Sequence, residues 1–126
     1  MEEVNGVEGV PQAIGPYSQA VIAEPFIFLS GQIAINSKIG KLVEGGIEEQ
    51  TVQVLNNITA LLDNFGLTFK NCVKTTIFLT DFKSQFQAVN SIYGEMLGGA
   101  KPARSSVQVA ALPLGALVEI EMIALL

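Results

Sequence analysis

Between residues 47 and 66 the hydrophobic period of the chain changes. In "IEEQTVQVLNNITALLDNFG" the residues Val52, Leu55, Ile58, Leu62 and Phe65 recur every three or four positions, the single apolar stripe of a surface helix. Glu48 and Glu49 fall in its first turn, where the helix dipole favours negative charge, and Gly66 suits the left-handed C′ position. On either side the period is two. "YSQAVIA" (17–23) and "FIFLSGQIAI" (26–35) read as strands joined across Glu24 and Pro25 as a hairpin, and "CVKTTIFLT" (72–80) is a β-branched, alternating strand. Asp81 is a candidate N-cap for a second helix that places Phe82, Phe86, Val89, Tyr93, Met96 and Leu97 on one face, with Gly98 and Gly99 stopping it. Two strands follow, "RSSVQVA" (104–110) and "LVEIEMIAL" (117–125), with a turn at 112–115. Residues 36–46 read as a loop, and the first fifteen are Gly-rich and weakly patterned. The order ββαβαββ predicts one α+β domain over 1–126, a mixed sheet with both helices on one face.

That arrangement leaves the second sheet face to explain. On "RSSVQVA", Val107 and Val109 share one face while Arg104, Ser106 and Gln108 share the other. On "FIFLSGQIAI", Ile27, Leu29, Gly31 and Ile33 alternate with Phe28, Ser30 and Gln32. The second face is thus neither freely solvated nor fully oily, which suits packing against another copy of the chain. Composition agrees: 49% of residues are hydrophobic and 15% charged, so apolar side chains are in surplus and subunit interfaces can take them.

The residue inventory restricts the chemistry. Seven cations in a chain of net charge -5 form no basic stripe, which argues against nucleic acid as a partner. Histidine is absent, removing Ser-His and Cys-His dyads and most zinc chemistry, so neither metal nor cofactor is expected. The one cysteine, Cys72, allows no internal disulfide, fits a reducing compartment and reads as a core residue. No run of about 18 apolar residues predicts a membrane span, and the acidic start "MEEVNGVEGV" does not read as a signal peptide. A soluble cytoplasmic protein is the expectation.

Arg104 is the only arginine, and it opens a run that otherwise reads as a buried strand. It is either a structural ion pair with a glutamate or a clamp whose planar fork takes both oxygens of a carboxylate. Glu119 and Glu121 lie two apart on an apolar strand, hence on one face. Burying such a carboxylate without a partner is costly. One of them pairs with Arg104 or Lys101 of a neighbouring chain, or one holds and polarises a water as a base whose pKa burial has raised. Tyr17, following Gly15 and Pro16, reads by itself as a packing tyrosine. Ser30 and Gly31 mark a bulge, or a place where a small ligand approaches the backbone.

Taken together, "AIGPYSQAV" (13–21), "LSGQIAI" (29–35), "VNSIY" (89–93), "PARSSVQVAALP" (102–113) and "VEIEMIAL" (118–125) resemble the RidA family, also called YjgF/YER057c/UK114. The resemblance implies a chorismate-mutase-like fold and a homotrimer with a central β-barrel and a cleft between each pair of subunits. It implies hydrolysis of reactive 2-imino and enamino acids, such as 2-iminobutanoate and 2-iminopropanoate, to 2-oxo acids and ammonia. Carried over by motif, Arg104 binds the substrate carboxylate and Glu119 orients the attacking water, while Tyr17, Ser30, Gly31, Asn90 and Ser106 line the cleft. Two departures stand out: Ser106 occupies a place where many relatives carry Cys, and "GEMLGGAK" (94–101) replaces a stretch that is often aromatic. The main alternative is a protein that binds 2-oxo acids as a sensor without turnover. A ribonuclease, an activity attached to relatives, fits poorly with the acidic, His-free composition; a protein-holding chaperone is a further reading.

Overall fold

The computed structural model describes residues 1–126. Eight strands and two helices follow in order: β1 (Glu2–Val4), β2 (Ala20–Ala23), β3 (Phe26–Gln32), β4 (Ile35–Asn36), β5 (Lys41–Leu42), α1 (Ile47–Asp63), β6 (Cys72–Leu79), α2 (Phe82–Met96), β7 (Ala103–Gln108) and β8 (Val118–Leu125). The expected ββαβαββ order is present in β2, β3, α1, β6, α2, β7 and β8. The sequence pattern shows neither β1 nor the small β4–β5 hairpin, which takes Ile35 from the strand expected over 26–35 and the rest from the loop at 36–46, and β2 begins at Ala20 rather than at Tyr17.

Six strands form one mixed sheet in the order β1-β2-β3-β8-β6-β7. Only β6 and β7 run parallel, with α2 as the crossover between them; the other neighbours are antiparallel. The two closing strands do not pair with each other. β8 inserts between β3 and β6, so the sheet's middle is completed by its last strand.

Both helices pack on one face. Val54, Leu55, Ile58, Leu61 and Leu62 of α1 meet Ile27, Leu29, Ile77, Val118, Ile120 and Met122 of the sheet, all within one apolar cluster that also takes Val89 and Tyr93 of α2. The helix ends are chemically closed. Glu49 reaches back so that its Oε1 accepts from the Gly46 N–H at 2.8 Å. At the other end Gly66, with φ 69°, donates to the Asp63 carbonyl while Leu67 donates to that of Leu62, a Schellman closure that needs the left-handed glycine. In α2 the Asp81 carboxylate accepts from the Ser84 N–H. The opposite sheet face has no helix. Phe26, Phe28, Val107 and Leu125 are exposed on it, beside Glu119 and Glu121. No helix is long and apolar enough to cross a membrane.

Candidate active site

The register of β3 against β8 shifts between Leu29 and Gln32: Leu29 faces Met122 and Gln32 faces Ile120, so three steps on β3 match two on β8. The extra residue lies at Ser30–Gly31, a β-bulge. The simple alternation expected along 26–35 therefore fails there, and Gln32 turns inward to 7% exposure instead of sharing a face with Phe28. Gly31 has a steric reason. A Cβ built on it would collide with Glu119 Oε2 and lie 2.9 Å from Cδ, so the Glu119 carboxylate occupies the space a side chain would need. Half-buried, Glu119 has its pKa raised by burial, and the like charge of Glu121 raises it further.

Around this carboxylate opens a cleft of about 330 Å³, lined by Tyr17, Ser30, Gly31 and Glu119 on its polar side and by Ile14, Ile33, Ile35 and Pro113 on its apolar side. Ser30 Oγ donates to the Ser18 carbonyl, which leaves its lone pairs available to accept. Tyr17 is 49% exposed, and its hydroxyl accepts only a long bond, 3.4 Å, from the Ile14 N–H. The cleft's wall is an irregular segment held by Gln19, a residue absent from the sequence-level candidates. Gln19 is 2% exposed; its Oε1 accepts from the Val7 N–H at 2.9 Å and its Nε2 donates to the Pro11 carbonyl at 2.8 Å. Asn57 of α1 does the same for the opposite wall, donating through Nδ2 to the carbonyls of Ile33 and Ile35 at 3.2 and 2.9 Å.

Arg104 lies elsewhere. Across the sheet it is in register with Thr75, and Thr75 with Met122, both directed at the helix layer. Glu119 is in register with Phe78, on the opposite face. Arg104 Nη1 donates to Asn90 Oδ1 at 2.8 Å, and its guanidinium carbon sits 5.1 Å from the Tyr93 ring centroid and 5.6 Å from that of Phe86. A second cleft of about 290 Å³ lies here, lined by Asn90, Tyr93, Arg104 and residues 99–102. Ser106 is two residues along on Arg104's face, and its Oγ is buried without a hydrogen-bond partner.

Within one chain, then, Tyr17, Ser30, Gly31 and Glu119 come together, and Asn90 and Arg104 come together, but the two groups do not meet. Arg104 makes no ion pair with a glutamate of its own chain; its hydrogen-bonding partner is neutral. Burial pushes the Cys72 thiol up to about 11, which keeps it protonated and non-nucleophilic at neutral pH. No three His, Cys, Asp or Glu side chains converge as metal ligands.

Comparison with known proteins places this geometry. A family model described as Endoribonuclease L-PSP matches residues 8–126. A RutC family protein of Pyrococcus horikoshii is 46% identical over 124 residues, covering 98% of each chain. A mouse protein named 2-iminobutanoate/2-iminopropanoate deaminase is 48% identical over 114 residues, which span 90% of this chain and 84% of that one. Among solved structures, YyfA of Yersinia pestis, from the Rid protein family, superposes with a TM-score of 0.92 at 51% identity over 98% of both chains. With fold, motif order and sequence in agreement along nearly its whole length, the chain belongs to the Endoribonuclease L-PSP family, the RidA family that its motifs resemble.

Proposed function

We propose that the protein hydrolyses 2-imino acids and their enamine tautomers, 2-iminobutanoate and 2-iminopropanoate among them, to 2-oxo acids and ammonia. The observation that carries this reading is the Glu119 carboxylate. It is lodged over side-chain-free Gly31 at the edge of a cleft, with its proton affinity raised by burial. The mouse relative's name points to the same reaction. An imino acid is already electrophilic, so a positioned water and a matching charge suffice, and no nucleophilic side chain is needed. Arg104 binds the α-carboxylate. Glu119 takes a proton from water as the oxygen bonds to the imine carbon, whose nitrogen is protonated. Glu119 returns that proton to the carbinolamine nitrogen, the C–N bond breaks, and the hydroxyl proton passes to the departing ammonia, leaving the 2-oxo acid, ammonium and an ionised Glu119.

The reading requires Arg104 of one copy beside Glu119 of another, because the sheet lies between the two within a single chain. A homotrimer with clefts between subunits supplies that arrangement. The exposed apolar side chains Phe28, Val107 and Leu125 on the helix-free face suit an interface between copies.

The test is a coupled assay in which a PLP-dependent dehydratase generates 2-iminobutanoate and loss of the imine is followed. The native protein accelerates hydrolysis. Arg104→Lys, which keeps the charge and loses the planar fork, is expected to lower kcat/KM by about 10- to 100-fold. Glu119→Gln is expected to lose about 100-fold or more, as for removal of a general base. Binding of 2-oxobutanoate without any acceleration would replace this reading with that of a sensor.

A further inference from the structure

The guanidinium of Arg104 is held by more than one bond. Phe86, Asn90 and Tyr93 follow one another at spacings of four and three along α2, so they form one stripe beneath β7. Both rings lie within the range of a cation–π contact, at 5.6 and 5.1 Å, and Asn90 takes one Nη1 proton. Phe86 is itself fixed, stacked on Phe82 at 4.4 Å between centroids with 7° between the planes. Gln108 Oε1 accepts from the Phe82 N–H at 2.9 Å, which ties the far end of β7 to the start of the same helix. β7 and α2 are thereby joined at two points, with the arginine at one of them. Nε and Nη2 of Arg104 have no protein partner. They are two parallel N–H donors along one edge of the plane, the geometry a carboxylate accepts side-on.

We infer that Phe86 and Tyr93 are positioning residues for substrate binding: the two rings restrain the guanidinium while Asn90 sets its rotation, so that the Nε–Nη2 edge is presented to a carboxylate. This rests on the reading of Arg104 as the carboxylate clamp. A free arginine side chain loses rotamer entropy when it closes on a ligand; a restrained one loses little, and that difference appears as affinity. The rings act on arginine alone and leave the water-orienting carboxylate untouched, so they govern ligand affinity and KM, with kcat little changed.

Because Arg104 is the sole arginine, its Nε–Hε resonance in ¹⁵N-labelled protein is a single, self-identifying signal. The inference expects that signal to be displaced by ring currents and to relax like folded backbone. Titration with 2-oxobutanoate should move it. Phe86→Leu and Tyr93→Leu should each raise the Kd about threefold, and the double variant about tenfold, consistent with exposed cation–π contacts. Tyr93→Phe should rescue to within about twofold, since the ring and not the hydroxyl acts. The neutral analogue 2-oxobutanamide, which has no carboxylate to clamp, should bind these variants and the native protein alike. If Tyr93→Leu does not fold, Phe86→Leu, at a half-buried position, carries the test. Unchanged 2-oxobutanoate affinity in folded leucine variants overturns the positioning role while the clamp stands. So does a native Hε signal with the shift and mobility of an unstructured peptide. A restrained signal that no 2-oxo acid moves overturns the clamp itself, and the positioning role with it.

Discussion

Gly31 and Glu119 compete for one volume, and that fixes what a methyl group does there. The atom displaced in Gly31→Ala is the end of a flexible side chain, so the fold yields cheaply while the carboxylate moves. Thermal melts should therefore shift little, whereas imine hydrolysis should fall about 100-fold, the scale of a misplacement near 1 Å. Glu119 also sets a pH dependence. Its raised pKa favours the protonated carboxyl in the folded protein, so this group favours folding at low pH and that contribution is lost as pH rises through its folded value. In the proposed role of base it works only when ionised, so activity should rise with pH over the same interval. Glu121→Gln removes the like charge, and the acid limb of the kcat/KM profile should move to lower pH; a move upward would contradict the assigned cause. Both charged candidates could be found from sequence because a charge in an apolar strand is anomalous. Gln19 could not: a glutamine in "YSQAV" looks like an ordinary surface residue until its amide is seen closing the turn of Val7 and Pro11.

At the level of elements, hydrophobic period located the long elements without naming every inward residue: Val52, read on the apolar stripe of α1, is 39% exposed, while Val54 and Leu61 are buried. The helices expected from 47 and 82 begin at those residues, and the strands expected over 72–80 and 117–125 are observed at Cys72–Leu79 and Val118–Leu125. β1, β4 and β5 are two or three residues long, too short to show any period. Ser30 and Gly31 read locally as a bulge or a place of close ligand approach, yet the reversal of facing beyond them depends on the pairing with β8, which local pattern does not contain. Strand order is likewise tertiary: nothing in "RSSVQVA" distinguishes pairing with β6 from pairing with β8. The inward polar residues of α1 hold the cleft's frame. Gln50 Oε1 accepts from the Leu117 N–H at 2.9 Å, and Asn57 satisfies two carbonyls. Asn57→Leu would remove the side-chain donor from both carbonyls; that of Ile33 still accepts from the Ile35 N–H at 2.8 Å, so the Ile35 carbonyl bears the loss, expected at about 1–3 kcal/mol in urea unfolding.

For the molecule as a whole, the separation of arginine and glutamate by the sheet leads to a complementation experiment. Arg104→Ala and Glu119→Ala proteins should each be inactive alone. Unfolded together and refolded as mixed assemblies, they should regain a fraction of native activity, because some clefts then combine an intact Arg104 from one copy with an intact Glu119 from another. No recovery in mixed assemblies would place both residues' work within one chain. The position of β8 has a temporal consequence too. The strand synthesised after all seven others is the one at the centre, and it brings Glu119 with it. A nascent chain on the ribosome thus holds two unjoined halves of a sheet and no Glu119; the joined architecture and the proposed base arrive in the same few codons.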